Sequence, residues 1–329
     1  MQSIMSTLKT KTRGSVKRTI IGIALAAIVI AIVQLNNPKF LSAANLLTVL
    51  NSIPAPAVIA FGFTLILLTG GIDLSCGYAL TVCIMMMGRG VVAGYSPVVC
   101  MLLGIGTGML IGAINGAIII STKIPPFIVT LATMSACQGL LNLLFSGGRI
   151  MLNSDLFVTI GFGTVFSVPV ALIIMLFAYV VLMFVLKRTK LGVYIYAIGS
   201  SKKNSLVSGI AVKRYTFIVY IIQGFCVGLG AVILGSRVGI VQKTSGGNGT
   251  MMDVVTAVVL GGTSTQGGEG GLTGTVIGVI ALQLITSAMI LFNIPVAVQD
   301  VVKGAIIVIA LIVMNTLKGK NFSGNRIEK

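Results

Sequence analysis

Long apolar segments follow one another along almost the whole chain, and this pattern is what most limits the possible folds. A helix of roughly 20 residues spans the hydrocarbon of a bilayer, and most of these segments come close to that length. Inside lipid the backbone must satisfy its own hydrogen bonds, which favours helices. Charged residues make up 9% of the chain, whereas soluble domains carry about 25%. The sequence therefore predicts an all-α fold, a polytopic membrane helical bundle of about ten transmembrane helices.

The predicted spans follow the apolar runs of the sequence. Their ranges are residues 19–35, 46–68, 80–92, 98–120, 127–145, 168–186, 217–234, 254–260, 272–292 and 301–317. The second contains Pro54 and Pro56, which interrupt its helical pattern. The eighth is too short to cross about 30 Å of hydrocarbon alone, so it is predicted to be either a short crossing or a re-entrant segment.

Basic residues are concentrated in three places, and these clusters predict the orientation of the chain. An N-terminal tail (1–18), a central loop (187–214) and a C-terminal tail (318–329) hold 16 of the 23. Loops rich in Lys and Arg stay on the cytoplasmic side. If the transmembrane domain, residues 19–317, crosses the membrane ten times, all three basic clusters lie on the cytoplasmic side. The charge pattern therefore favours a full crossing by the eighth segment. Because these clusters lie at span ends, the net charge of +17 indicates membrane lipid as the partner and not nucleic acid.

The residues that carry most enzyme chemistry are scarce. The chain has no histidine, and its five cysteines are scattered without a CxxC pair, so we predict no catalytic or metal site and a packing role for the cysteines. No Walker A motif is present, since the late pair Gly319 and Lys320 is followed by Asn321. We therefore predict that the chain binds no ATP by a P-loop and holds no cofactor, and that energy for active transport comes from ions or another subunit.

Two polar, glycine-rich stretches interrupt the apolar pattern, at residues 69–77 and 261–271. Irregular backbone at membrane depth is tolerated only where protein or a water-filled cavity covers it, so both stretches could flank a pathway. Asp73 and Ser75 in the first are candidates for a gate, and a helix cap or structural anchor is the alternative for Asp73. The six acidic residues are all predicted at span ends or in breaks, which weakens a proton-coupled mechanism.

A few uncharged polar side chains lie inside or beside the predicted spans. They bond neighbouring helices, or they line the path of a sugar-like solute that needs uncharged donors and acceptors; the candidates are Asn51, Asn115, Gln138 and Asn142. Glycines four residues apart predict closely packed helices, because such ridges let two backbones approach. One ridge contains Gly104, Gly108, Gly112 and Gly116, and the other Gly270, Gly274 and Gly278.

Five stretches, in order and at matching spacing, carry a family resemblance. They are LLTGGIDLSCG (67–77), IGAINGAII (111–119), KIPPFIVTLATM (123–134), YAIGSSKKNSLVSGI (196–210) and VVLGGTSTQGGEGGLTGTVIG (258–278). With them the chain, from about residue 45 to residue 318, resembles the membrane permease subunits of bacterial ribose-type ABC sugar importers.

The resemblance implies that residues 199–210 form the cytoplasmic coupling helix that docks on an ATPase subunit. Gly199, Ser208, Gly209 and Ile210 match the family pattern, whereas Ser201, Asn204 and Ser205 stand where it has Asn, Ala and Ala. Lys202 and Lys203 replace residues that are often acidic. We therefore expect a dedicated ATPase partner with acidic residues in its docking groove.

The resemblance also implies partners, location and function. The partners would be an ABC ATPase subunit that binds ATP and Mg, a second permease subunit in a homo- or heterodimer, and an extracytoplasmic sugar-binding protein. The protein would lie in the bacterial cytoplasmic (inner) membrane and import a monosaccharide, a ribose-like pentose or a hexose. A permease for a nucleoside or a sugar-derived signal is the alternative within the family. An ion-coupled secondary carrier, and after it a passive channel, are the alternatives from other classes.

Overall fold

A computed structural model describes Gln34, residues 37–145 and residues 150–322, with side chains as far as Val313. The predicted N-terminal tail, the first predicted span apart from Gln34, and residues 323–329 lie outside this part. Seven helical segments in this part are long and apolar enough to cross a bilayer, and one of them, Ala43–Leu68, consists of two consecutive helices. The architecture confirms the predicted polytopic helical bundle.

The described helices are, in chain order, α1 Ala43–Ser52, α2 Pro54–Leu68, α3 Cys76–Val92, α4 Pro97–Ser121, α5 Pro126–Leu144, α6 Asp155–Phe162, α7 Val170–Arg188, α8 Lys190–Ser200, α9 Lys202–Val207, α10 Val212–Val238, α11 Gly247–Leu260, α12 Leu272–Leu291 and α13 Val296–Phe322. Four two-residue strands accompany them in this part of the chain: β1 Ile150–Met151, β2 Thr164–Val165, β3 Val168–Pro169 and β4 Ile240–Val241. Strand β1 pairs antiparallel with β4, and β2 with β3.

Helix α2 occupies the centre of the bundle. Of its 15 residues, 14 are buried, and it packs against α7, α10, α11 and α12. A helix that is apolar on every side is expected in such a position. The predicted proline interruption is the junction between α1 and α2, with Pro54 opening α2, where a missing N–H breaks no hydrogen bond.

The first glycine ridge brings α4 and α10 into backbone contact. Gly108 of α4 faces the backbone of Gly224 and Gly228, and Gly112 faces the backbone of Tyr220. A Cβ atom at Gly108 would lie 2.9 Å from the Gly228 nitrogen, closer than real side chains approach. The second ridge joins α12 to α11 in the same way, at Gly274 against Gly261 and at Gly278 against Ala257. Both packing predictions are confirmed.

The antiparallel contact of α4 and α10 defines two ends of the bundle. We call one of them the loop end; it contains the ends of α4 and α7, the whole of α8 and α9, and the start of α10. Helix α10 finishes at the opposite end, where β4 pairs with β1; we call this the strand end. Residues of the predicted central loop and of the loop between α4 and α5 therefore lie together at the loop end.

The eighth predicted span is α11, which is longer than predicted but still only 14 residues. It begins inside the bundle, where Gly247 contacts Gly77 at the start of α3, and it ends near Gly274 at the start of α12. Residues 242–246 cover the remaining distance from β4 without helix. Residues 240–261 therefore run from the strand end to the loop end, as the parity argument favoured.

Some local structure differs from the prediction. Residues 187–214 contain two helices; α9 lies within the predicted coupling helix of residues 199–210, whereas α8 was not predicted. Asp253 lies in the middle of α11 and not at a span end, while Asp300 is in the second turn of α13. Helix α6 was not predicted either. The helices extend beyond the apolar runs used to set the span ends, so acidic residues that flank those runs became helical.

Candidate functional site

Helix α9 is a short exposed helix at the loop end. The Ser201 hydroxyl oxygen accepts a hydrogen bond from the Asn204 backbone nitrogen at 3.2 Å, which caps the first turn. Gly209 follows the helix with a φ of +77°, a left-handed conformation that glycine adopts without a Cβ penalty. The Ile210 nitrogen then donates to the Ser205 carbonyl oxygen at 3.0 Å and closes the turn.

The exposed surface of α9 combines charge and apolar area. Lys202 and Lys203 are exposed, whereas Ser205 is buried beneath them. Leu206 and Val207, which sequence reasoning missed, are exposed by 56% and 84%. Adjacent exposed apolar side chains with a basic rim are typical of a protein-binding surface.

Asp73 lies in the break between α2 and α3, inside the protein. Its carboxylate accepts hydrogen bonds from the Ser75 backbone nitrogen at 2.8 Å and from the Ser75 hydroxyl at 2.5 Å. Asn115 of α4 donates to the same hydroxyl at 3.0 Å, and Thr133 of α5 donates to the Asn115 side-chain oxygen at 2.6 Å. These four residues form the Asp73 cluster, which ties three helices together and anchors the chain just ahead of α3.

Two further polar side chains of α10 lie beside this cluster. Tyr220 and Gln223 are each only 1% exposed, and Gln223 faces the Asp73 carboxylate. Within the described part of the chain, the Tyr220 hydroxyl has no hydrogen-bond partner. The cluster therefore has a buried carboxylate, an amide facing it and a buried hydroxyl whose hydrogen bond is unmade. Sequence reasoning missed Thr133, Tyr220 and Gln223, although polar residues within an apolar span were the signal that singled out Asn115.

The remaining path candidates lie elsewhere. Gln138 and Asn142 are exposed on the outer side of α5, and the Asn142 side-chain oxygen accepts a hydrogen bond from Lys243 at 3.2 Å. Asn51 is at the end of α1, where its backbone carbonyl accepts a hydrogen bond from Arg237 of α10. The structure thus brings together Asp73, Ser75 and Asn115, and it separates Asn51, Gln138 and Asn142 from them.

The sequence profile of one protein family matches residues 45–311; the family is described as the permease component of the branched-chain amino acid transport system. The chain belongs to this permease family. The match covers every helix described here from α2 to α12 and the greater part of α13. It confirms the resemblance at the level of a transporter permease, and it establishes a multi-pass membrane protein.

Several named proteins are similar to this permease over most of their length. The ribose import permease of Bacillus subtilis (strain 168) is 38% identical over 287 residues, which cover 87% of this chain and 89% of that protein. That of Haemophilus influenzae is 36% identical over 300 residues, 89% of this chain and 92% of the relative. The D-allose transport permease of Escherichia coli (strain K12) is 31% identical over 289 residues, covering 87% and 88%. No solved structure matches the permease.

The permease also contains a buried ion pair that sequence reasoning missed. The Lys303 side chain of α13 is 8% exposed, and its ammonium nitrogen lies 2.7 Å from an Asp253 carboxylate oxygen of α11. Asp300 is half-exposed and 4.0 Å from the same nitrogen. A charge buried in a bundle needs a partner of opposite sign. The pair therefore fixes α13 against α11.

Proposed function

We propose that this chain is the transmembrane permease subunit of an ATP-driven ABC importer and that it translocates a monosaccharide, a ribose-like pentose or a hexose. The observation that carries the proposal is the set of sugar-transport permeases that are 31–38% identical and cover almost all of both chains. The binding protein that delivers the sugar and the ATPase that hydrolyses ATP are separate subunits. This permease has no ATPase site of its own.

Helix α9 is the proposed contact with the ATPase subunit, which holds the ATP and Mg. Its cap, its exposure and its apolar pair Leu206 and Val207 support this role. Lys202 and Lys203 favour a docking groove with acidic side chains, because opposite charges steer association and set partner choice.

The loop end is proposed to face the cytoplasm of a bacterium, in its inner membrane, with both termini on the same side. Basic residues support this orientation because cytoplasmic loops carry the excess of Lys and Arg. The described loop end holds Lys123, Lys187, Arg188, Lys190, Lys202, Lys203, Lys213 and Arg214.

The outer side of α5 is proposed to face a second permease subunit or the sugar path. Exposed amides against hydrocarbon would leave their hydrogen bonds unmade, at a cost of several kcal/mol each in lipid. Gln138 and Asn142 therefore favour a wet or protein-covered surface over lipid. Whether the second subunit is a copy of this chain decides between a homodimer and a heterodimer. The sugar-binding protein would deliver its ligand at the strand end.

The test is transport by the assembled complex. The sugar is first chosen by thermal shift of the binding protein against pentoses, hexoses, nucleosides and sugar-derived signals, because a ligand stabilises the protein that binds it. The complex in proteoliposomes is then given labelled sugar with ATP, or with an ion gradient alone. We expect accumulation that needs ATP and survives an ionophore. Accumulation driven by the gradient alone would contradict the proposal and favour the ion-coupled carrier, for which buried Asp73 would be the candidate ion site.

A further inference from the structure

Three segments of the chain meet at the loop end with no side chain between them. They are Gly199 in the last turn of α8, the end of α2 with its following turn (68–70), and the turn at residues 266–268 between α11 and α12. We call this meeting point the glycine junction; its glycines are Gly199, Gly267 and Gly268. A Cβ atom at Gly199 would overlap the Leu68 carbonyl oxygen and lie 2.5 Å from the Gly268 nitrogen.

Each contact of the junction is made by backbone on both sides. A Cβ atom at Gly267 would lie 2.9 Å from the Gly70 nitrogen and 3.0 Å from the Gly199 Cα. One at Gly268 would lie 2.9 Å from the Ser200 nitrogen. Backbone cannot rotate away as a flexible side chain can, so a single methyl group at any of the three glycines would push two segments apart.

Hydrogen bonds hold the same segments together. The Gly268 nitrogen donates to the Leu68 carbonyl oxygen at 2.9 Å, which joins the α11–α12 turn to the end of α2. The Tyr196 hydroxyl of α8 donates to the Gly270 carbonyl oxygen at 2.9 Å. Helix α8 is therefore attached to the α11–α12 turn by close packing and by a directional bond.

The junction has a docking surface on one side and the Asp73 cluster on the other. Ser200 ends α8, and Ser201 immediately caps α9. From Leu68 the chain reaches Asp73 within five residues, and from there the cluster's hydrogen bonds lead to Asn115 and to Thr133 of α5. A short and continuous series of contacts thus connects the exposed helix to three membrane helices.

We propose that the glycine junction transmits movement of α9 to the break between α2 and α3, with Gly199, Gly267 and Gly268 as positioning residues. The inference rests on the proposed function, because it needs an ATPase that moves α9. Where backbone packs directly against backbone, a small shift of one segment must displace its neighbour, and the two segments then move together as a rigid body. If the junction only stabilises the fold, substitutions in it lower stability and leave the ATP used per sugar transported unchanged.

The test is Gly268→Ala in the assembled complex with its ATPase and binding protein in proteoliposomes. ATP hydrolysis and sugar uptake are measured together, and co-purification of the ATPase is checked. We expect the complex to assemble and the ATP hydrolysed per sugar to rise about fivefold or more, the lower range of measured coupling energies. The control is Gly94→Ala. Gly94 has a φ of +77°, close to the +72° of Gly268, so the backbone penalty is similar, but nothing lies within 4 Å of its Cβ position.

A second variant keeps the inference testable if Gly268→Ala does not fold. Tyr196→Phe removes only the bond to Gly270, and we expect about a twofold rise in the same ratio, in line with the loss of one hydrogen bond. Tyr95→Phe, at a tyrosine that is 57% exposed, is its control. If Gly268→Ala takes up sugar at the wild-type rate with an unchanged ratio of ATP hydrolysed to sugar transported, the inference is overturned and the proposed function stands. If only Tyr196→Phe folds, the same result in that variant overturns the inference. Failure of the wild-type complex to use ATP for uptake would overturn the proposed function instead.

Discussion

Asn115 and Gln138 are both amides in predicted spans, yet the structure gives them opposite surroundings. Asn115 is 1% exposed, and both ends of its side chain are bonded within the Asp73 cluster. Gln138 is exposed on the outer side of α5. The sequence grouped them because an apolar run with a polar residue does not indicate whether that residue faces the interior of the bundle or its outer surface. Their substitution should therefore separate packing from transport.

Asn115→Leu should lower the stability of the purified permease. The change removes the hydrogen bond that Asn115 donates to Ser75 and the one that it accepts from Thr133. Each lost hydrogen bond costs about 0.5–1.5 kcal/mol. Thermal unfolding in detergent should show a lower midpoint. Thr48→Ala is the control, because the Thr48 hydroxyl is exposed and bonds only to Ala44 in its own helix. Equal midpoints for Asn115→Leu and wild type would mean that the cluster contributes nothing to stability.

Gln138→Leu should leave the unfolding midpoint of the isolated permease unchanged, because the side chain is exposed. If it lines the sugar path, uptake by the assembled complex should fall about tenfold, the effect of losing one hydrogen bond of roughly 1.4 kcal/mol. Exposed Leu140 on the same helix, changed to Met, provides a control of the surface itself. Full uptake by Gln138→Leu would remove this residue from the path.

At the scale of elements, helix contacts in this bundle depend on glycine more than on apolar area. Lipid chains are as apolar as side chains, so helices gain little from burying apolar surface against each other, and close backbone approach holds them together. The α4–α10 contact illustrates this, with Gly108 and Gly112 on one helix and Gly224 and Gly228 on the other. The period of four predicted the ridge correctly but did not indicate which helix it meets.

Gly108→Ala should weaken the α4–α10 contact. Its methyl group would meet the backbone of Gly224 and Gly228, and overpacking of this kind costs about 1–3 kcal/mol. Gly106→Ala lies one half-turn away, where nothing is within 4 Å of the Cβ position, and should be neutral or slightly stabilising because alanine favours helix. Unfolding midpoints of both variants in the same detergent provide the comparison. A Gly108→Ala midpoint at or above that of Gly106→Ala would contradict the packing account.

At the scale of the whole molecule, features that are far apart in sequence meet at the loop end. The break at residues 69–77, the loop at residues 261–271 and the basic stretch at residues 187–214 were identified separately. The structure joins all three at the glycine junction and leaves α9 exposed beyond it. This arrangement places the proposed ATPase contact and the irregular segments of the bundle next to each other.

Val207→Asp should weaken ATPase docking without harming the fold, because Val207 is 84% exposed. A charge in the apolar part of an interface commonly costs 2 kcal/mol or more, about a thirtyfold loss of affinity. Co-purification of the ATPase subunit on the tagged permease measures it. Phe166→Ser, at a residue 97% exposed in the turn between β2 and β3, should leave co-purification unchanged. Normal recovery of the ATPase with Val207→Asp would exclude α9 as its main contact.

The sequence by itself determined the class of fold, most spans to within a few residues, the two glycine ridges and the family. These follow from local quantities, because hydropathy and spacing set the length of a span and the face a helix packs with. Only the tertiary structure decided which polar residues share a site. Ser75 and Asn115 are 40 positions apart and share a hydrogen bond because α3 and α4 pack side by side, whereas Gln138 faces outward. The pairing of Lys303 with Asp253 and the meeting of Gly199 with Gly268 likewise depend on contacts between distant segments, which no local pattern encodes.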